Sequence, residues 1–137
     1  MPLSKRPVTV KPGITAHVWG LDKSGKSQLA LSSPQPCLIN FDRREDFLLQ
    51  KMDLDILRDR IILPAGSITV PHAQVALEGF EKDMAQAKAL AAGGMLETIV
   101  IDGGSLLVDI ITIVKLDEND NKNNTYRYST RNAYIKN

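Results

Sequence analysis

The sequence predicts an α/β fold with three layers, in which helices cover both faces of a mainly parallel sheet. A glycine-rich loop at 20–27 separates a strand-like segment from a helix-forming one, as in a strand–loop–helix unit. Four β-forming residues at 98–101 run without interruption into Asp102, as expected of a parallel strand buried on both faces. Between these stretches, apolar residues recur at steps of three and four over 71–92. This spacing predicts a long amphipathic helix.

Composition limits the classes of protein to which the chain can belong. Its 137 residues suit a single domain, 43% of them are hydrophobic, and the net charge is +1. The single cysteine excludes an internal disulfide, and with the two histidines it offers no zinc-binding set. Cys37 is therefore predicted to be a core residue. No apolar run reaches membrane-spanning length, so we expect a soluble cytoplasmic protein with no membrane partner.

The glycine-rich loop matches the phosphate-binding pattern G-x-x-x-x-G-K-[ST], the P-loop or Walker A motif, without a mismatch. Its glycines let the backbone turn tightly and approach a phosphate closely. Lys26 is predicted to meet the β- and γ-phosphates of a nucleotide, and Ser27 to take one position around Mg²⁺. The predicted nucleotide-binding residues are Gly20, Leu21, Asp22, Lys23, Ser24, Gly25, Lys26, Ser27 and Gln28. The alternative is an ordinary Gly/Ser-rich turn between a strand and a helix.

One residue of the loop departs from what phosphate binding favours. The carboxylate of Asp22 would repel a phosphate unless it points outward. Lys23 follows directly, and its positive charge offsets that of Asp22.

The first part of the chain leads into the glycine-rich loop. Residues 1–13 are basic and proline-rich, and they predict a leader with a short edge strand. Residues 14–19 carry bulky apolar groups and predict the first core strand, which begins a nucleotide-binding core over 14–116. The helix after the loop is expected to stop at the Ser- and Pro-rich segment 32–36.

The middle of the chain predicts two further strands. Residues 37–41 form a short apolar segment that runs into the charged residues 42–45. Charged residues just past the carboxyl end of a strand lie at the rim where ligands of open α/β sheets bind. A short helix over 47–57 and a third strand over 60–63 are expected next, before Pro64 ends the strand.

Asp102 is the second candidate ligand of a metal ion. An aspartate at the end of an apolar strand is the Walker B arrangement, in which the carboxylate holds Mg²⁺ directly or through water. We therefore predict Ser27 and Asp102 as the metal-binding residues. The alternative is that Asp102 caps the following helix, whose amphipathic spacing covers 105–116.

The last part of the chain, residues 117–137, is predicted to be a polar loop followed by a basic and aromatic segment. Residues 117–125 are rich in Asn and Asp, and 126–137 interleave tyrosines with Arg127, Arg131 and Lys136. Such interleaving is typical of segments that contact single-stranded nucleic acid. A terminal helix that packs its tyrosines against the core is the alternative.

The order of these elements resembles the RecA-like ATPase core, a three-layer P-loop NTPase fold. More narrowly, the chain looks like the phage and prophage nucleotide-binding proteins of the AAA group, some of which act in DNA recombination and single-strand annealing. The likeness covers most of residues 14–135. It implies an ATP-binding protein that is a Mg²⁺-dependent ATPase in such a pathway, in the cytoplasm of a bacterium or a phage-infected host cell. Single-stranded DNA and other copies of the chain are the implied partners.

The resemblance also implies catalytic roles. It assigns them to Lys26 and Asp102, and the family often places a glutamate two residues past an aspartate after the second strand. That place is Arg44 here, and Glu45 is one residue later, so Glu45 is the candidate that activates water. The family tends to follow the Walker B aspartate with Ser or Thr, whereas this chain has Gly103.

Three other functions are open at this stage. A small GTPase would share the loop pattern, but the chain has neither a D-x-x-G sequence at Asp102 nor an N-K-x-D tetrapeptide. A nucleotide or metabolite kinase would need an arginine-bearing lid after Asp102, for which the chain has little room. A non-hydrolysing module that binds DNA under the control of ATP is the third.

We also expect the core to be incomplete at its C-terminal side. In the RecA-like arrangement, the strand that follows Walker B inserts between the P-loop strand and the Walker B strand. Nothing after Asp102 has the pattern of a buried strand, so an unfilled position is expected between residues 14–19 and 98–102. In a kinase-like order these two strands would pair directly, around Val18 and Val100.

Overall fold

The computed structural model describes residues 13–41 and 45–122. Within these ranges the chain folds as an α/β protein, which confirms the α/β part of the predicted fold class. The elements in chain order are α1 (Lys26–Leu31), β1 (Pro36–Asn40), α2 (Glu45–Lys51), β2 (Arg58–Arg60), α3 (Val70–Ala92), β3 (Thr98–Asp102) and α4 (Gly104–Lys122).

The three strands form a small open sheet in the order β2–β1–β3, and both pairings are parallel. Leu38 lies opposite Arg58 on one side of β1 and opposite Val100 on the other. The central strand β1 is accordingly almost fully buried. The carboxyl ends of all three strands meet at one edge of the sheet.

Helices cover both faces of the sheet. On one face, α3 and α4 pack over a cluster that includes Ile39, Phe41 and Ile110. On the other face, Leu31 of α1 and Leu49 of α2 pack against Leu38 and Val100. The described part therefore has the predicted three layers. None of the helices in the described ranges is both long and apolar enough to span a membrane.

Local sequence explains where α3 begins and ends. The side chain of Thr69 accepts a hydrogen bond from the backbone N–H of His72, and a proline occupies the first turn, where its missing N–H costs nothing. Ala73 and Ala76 are buried on one face, so the helix approaches the sheet closely. Gly93 follows the last turn, as the spacing of the sequence predicts.

The prediction of a strand over 14–19 is wrong within the described part of the chain. Residues 13–20 have no regular secondary structure and are exposed, Ile14 to 93% and Trp19 to 84%. A strand needs a partner whose backbone groups are free to pair. Among the described strands β3 pairs with β1 alone, and the strand that would connect its other edge to residues 14–19 is not among the described elements.

The third strand is displaced from its predicted place. β2 consists of the charged residues Arg58–Arg60, and Ile61–Leu63 continue as a loop. Backbone hydrogen bonds from Leu38 N to Leu57 O and from Ile61 N to Asn40 O fix this register. Ile61, which follows β2 directly, is buried in the cluster beneath α3 and α4.

Two helices differ in length from expectation. α2 begins at Glu45 and ends at Lys51, earlier than the predicted 47–57. α4 runs to Lys122, so the first part of the predicted polar loop is helical. Side-chain pairs on its surface support the extra turns, since Lys115 contacts Glu118 at 3.0 Å and Asn121 contacts Asp117 at 3.3 Å. Residues 123–137, including the basic and aromatic segment, lie outside the described residues.

Candidate functional site

The predicted P-loop forms a tight, solvent-exposed turn that leads into α1. Gly25 is the residue before the helix and has φ 86°, a left-handed conformation that glycine adopts without strain. At the other end, a Cβ on Gly20 would lie 3.0 Å from Ser24 Oγ. The backbone conformation therefore requires glycine at Gly25, whereas at Gly20 a side chain would crowd the hydroxyl of Ser24.

Lys26 closes this loop. Its Nζ donates hydrogen bonds to the carbonyl oxygens of Gly20 and Leu21, at 2.6 and 2.7 Å. The ammonium group is thus held over the turn by two neutral acceptors. Because a phosphate oxygen is a stronger partner for an ammonium group than a carbonyl, these contacts can be exchanged for a ligand.

Ser27 and Asp102 meet, although 75 positions separate them in the chain. The hydroxyl of Ser27 donates to Asp102 Oδ2 at 2.5 Å in a partly buried position. Ser27 is the second residue of α1 and Asp102 is the last residue of β3, at the carboxyl edge of the sheet. The structure therefore brings together the two residues that the sequence singles out as metal ligands.

The turn after Asp102 does not depend on its side chain alone. The carbonyl oxygen of Gly103 accepts hydrogen bonds from the N–H groups of Leu106 and Leu107, at 3.0 and 3.2 Å. The Asp102 carboxylate accepts a hydrogen bond from Ser27, which places it beside the P-loop as well as before α4.

The other predicted site residues lie around the contact between Ser27 and Asp102. Leu21, Asp22, Lys23, Ser24 and Gln28 are exposed along the turn and the start of α1. Lys23 has φ 60°. Glu45 is the first residue of α2, and residues 42–44 before it lie outside the described part, so its role in activating water stays a prediction.

The donor set suits a magnesium ion that is shared with a nucleotide. In the described ranges, no group of three or more His, Cys, Asp or Glu side chains is arranged to hold a metal ion. Mg²⁺ in nucleotide sites takes only one or two protein ligands and completes its shell with phosphate oxygens and water. One hydroxyl and one carboxylate, already in contact, fit that pattern.

Cys37 is buried in the central strand, as predicted. Burial raises the pKa of its thiol, and the negative charge of Asp83 acts in the same direction. A protonated, buried thiol is a poor nucleophile. The structure gives Cys37 a packing role beside Ala87 and Leu96.

A cleft of about 210 Å³ opens at the carboxyl ends of β1 and β2, between Phe41, Leu106 and the loop after β2. None of its walls belongs to residues 20–28. The cleft and the P-loop are therefore separate features of the same sheet edge.

Two residues near Asp102, Gly103 and Asn40, have structural roles that the sequence did not indicate. Gly103 has φ 87°, and a Cβ there would lie 2.8 Å from Phe41 Cβ. Asn40 ends β1 directly opposite Asp102 and is buried to 6% exposure. In the sequence, Asn40 could be noticed only as a polar residue near the end of an otherwise apolar strand.

Comparison with protein-family models, with curated proteins and with solved structures yields no match.

Proposed function

We propose that this chain is a P-loop nucleotide-binding protein that binds ATP with Mg²⁺ and acts as a RecA-like ATPase. The observation that carries the proposal is the hydrogen bond between Ser27 and Asp102 at 2.5 Å. It supports the pairing of a Walker A loop with a Walker B strand, because two residues 75 positions apart meet where both would be needed.

Each residue of the site would have a distinct task. Lys26 would leave the carbonyl oxygens of Gly20 and Leu21 and bind phosphate oxygens in their place. Ser27 and Asp102 would hold Mg²⁺, which neutralises charge on the phosphates when bound. The tight turn at 20–25 would bring backbone N–H groups close to the nucleotide.

The direct pairing that a kinase-like order requires is not seen among the described residues. The kinase-like order requires the strand before the P-loop to pair with β3. Residues 14–19 form no strand in the described part, and β3 pairs with β1 through Cys37–Ile99 and Leu38–Val100. The side of β3 away from β1 is where the RecA-like arrangement would add a strand.

A role in phage-type DNA recombination or single-strand annealing rests on the resemblance and on the residues beyond 125. We propose that Arg127, Arg131 and Lys136 bind single-stranded DNA weakly. Because phosphate contacts release counterions, this binding should weaken steeply as salt rises. Stimulation of ATP turnover by DNA would separate an ATPase from a non-hydrolysing, ATP-gated DNA-binding module.

Calorimetry on Lys26→Ala tests the nucleotide site. Removal of the ammonium group is expected to weaken MgATP binding by roughly tenfold or more, since hydrogen bonds to charged groups contribute about 1.5–3 kcal/mol. Lys88→Ala, an exposed lysine on α3, is the matched control and should bind as the unchanged protein does. Equal affinity in both variants would reject the assignment, and a preference for MgGTP would favour the GTPase alternative.

A further inference from the structure

Asn40 is an unusual residue for its position. It is the last residue of the central strand β1, and its exposure is 6%. Within the described ranges, Asn40 and Asp120 are the only polar or charged residues that are buried. A buried carboxamide is costly unless its donors and acceptors have partners, so an amide at this position needs polar neighbours.

The register of the sheet places Asn40 beside Asp102. The two residues are partners across the β1–β3 pair, as are Leu38 and Val100 two positions earlier. Residues two apart on a strand share a face. Leu38 and Val100 pack against Leu31 of α1, so Asn40 and Asp102 lie on the face that α1 and its Ser27 cover.

The alignment of these two residues is fixed just beyond them. The backbone N–H of Phe41 donates to the carbonyl oxygen of Asp102 at 3.0 Å. Phe41 Cβ occupies the place next to Gly103 where a side chain would otherwise begin. Neighbouring strands are about 4.8 Å apart, so the register cannot slip without separating Asn40 from Asp102.

We propose that Asn40 is a positioning residue of the magnesium–nucleotide site, and that its carboxamide orients the Asp102 carboxylate toward the metal. This inference rests on the proposed function. An amide can donate to a carboxylate without adding a charge. A second carboxylate at this position would repel Asp102, and an apolar side chain would offer it no donor.

Asn40→Leu keeps the volume of the side chain and removes its polar atoms. ATP binding is measured by calorimetry in excess Mg²⁺ and again with a chelator. Loss of an outer partner of a metal ligand usually lowers metal affinity by about 10–100-fold. We therefore expect the gain in ATP affinity on adding Mg²⁺ to fall by roughly tenfold or more, while the Mg²⁺-free affinity stays within about twofold.

Two further variants separate positioning from a general loss of stability. Asn121→Leu removes an exposed amide on α4 and should leave the Mg²⁺-dependent gain unchanged. Asn40→Ser keeps a small hydrogen-bonding group and serves if Asn40→Leu fails to fold. It should retain an intermediate gain, whereas a purely structural role would lower the melting temperature and the Mg²⁺-free affinity together.

The outcomes distinguish this inference from the proposal on which it rests. If the unchanged protein binds MgATP and the Asn40 variants keep the full Mg²⁺-dependent gain, Asn40 has no positioning role while the nucleotide site stands. If the unchanged protein binds no nucleotide, both proposals are rejected. If Mg²⁺-free affinity falls as much as the Mg²⁺-bound affinity, Asn40 is structural.

Discussion

Ser27 Oγ lies 2.5 Å from Asp102 Oδ2, which joins the start of α1 to the end of β3. Ser27 lies in the first turn of α1, and Asp102 is the last residue of β3, before the chain turns into α4. The contact holds the P-loop against the sheet even though residues 13–20 before it make no strand.

Asp102→Asn should remove the metal-binding charge and keep the shape of the site. The new amide oxygen can still accept the hydroxyl of Ser27, so the melting temperature without ligand is expected to change little. The stabilisation by ATP, followed by thermal denaturation, should lose its dependence on Mg²⁺. A large loss of stability without ligand would instead support the helix-cap role of Asp102.

Trp19 should report nucleotide binding. It is the single tryptophan of the chain, is 84% exposed, and precedes the P-loop directly. Its indole ring stacks on His17 with ring centroids 5.7 Å apart. We expect fluorescence typical of an exposed indole, and a saturable change on addition of MgATP that Lys26→Ala abolishes. A change that persists in that variant would place the ligand elsewhere.

Gly103→Ala should destabilise the fold more than a neighbouring substitution. A left-handed conformation costs a residue other than glycine about 1–3 kcal/mol, and the new Cβ would also meet Phe41 Cβ at 2.8 Å. Gly104→Ala is the matched control, because a Cβ there has open space. Urea denaturation should show a loss of at least about 1 kcal/mol for the first variant and little change for the second.

Stability should also depend on the protonation of Asp83. Burial raises the pKa of its carboxyl to about 6, hydrogen bonding and charge repulsion from Asp59 act in the same direction, and Lys82 opposes them. A pKa that is higher in the folded than in the unfolded state means that the folded protein binds this proton more tightly. The stabilising contribution is therefore complete below about pH 4 and is lost as the pH rises through about 6.

Asp83→Asn mimics the protonated form and tests this dependence. At pH 8 the variant should be more stable than the unchanged protein by less than about 1 kcal/mol, since water screens a partly exposed group. At pH 4 the difference should vanish. Asp109→Asn, an exposed aspartate on α4, is the control. A difference between Asp83→Asn and the unchanged protein that is equal at both pH values would contradict the explanation.

Much of the site could be predicted because its signals are local. The P-loop residues follow one another in the sequence, and α3 and β3 have apolar patterns that match one type of element each. Asn40 could not be predicted, because its nearness to Asp102 depends on the register between β1 and β3. That register is defined by backbone hydrogen bonds between the strands, such as the one from Phe41 N to Asp102 O, and a pattern within a single segment carries no such information.

The errors in the fold have a related cause. Residues 14–19 have a strand-like composition, but a strand forms only where another strand offers it hydrogen bonds. β2 shows the reverse, since Arg58–Arg60 have no strand pattern and still pair with β1. In both cases, whether the segment forms a strand depends on the backbone available for pairing and not on the side-chain pattern of the segment.

Because Cys37 is buried, the rate at which its thiol reacts reports how often the sheet opens. The chain has one thiol, and it lies in the strand that β2 and β3 flank on either side. A reagent that alkylates thiols can reach it only when the sheet opens, so the rate of labelling measures the frequency of opening. A ligand that binds the closed form across α1 and β3 should slow that rate in proportion to its saturation.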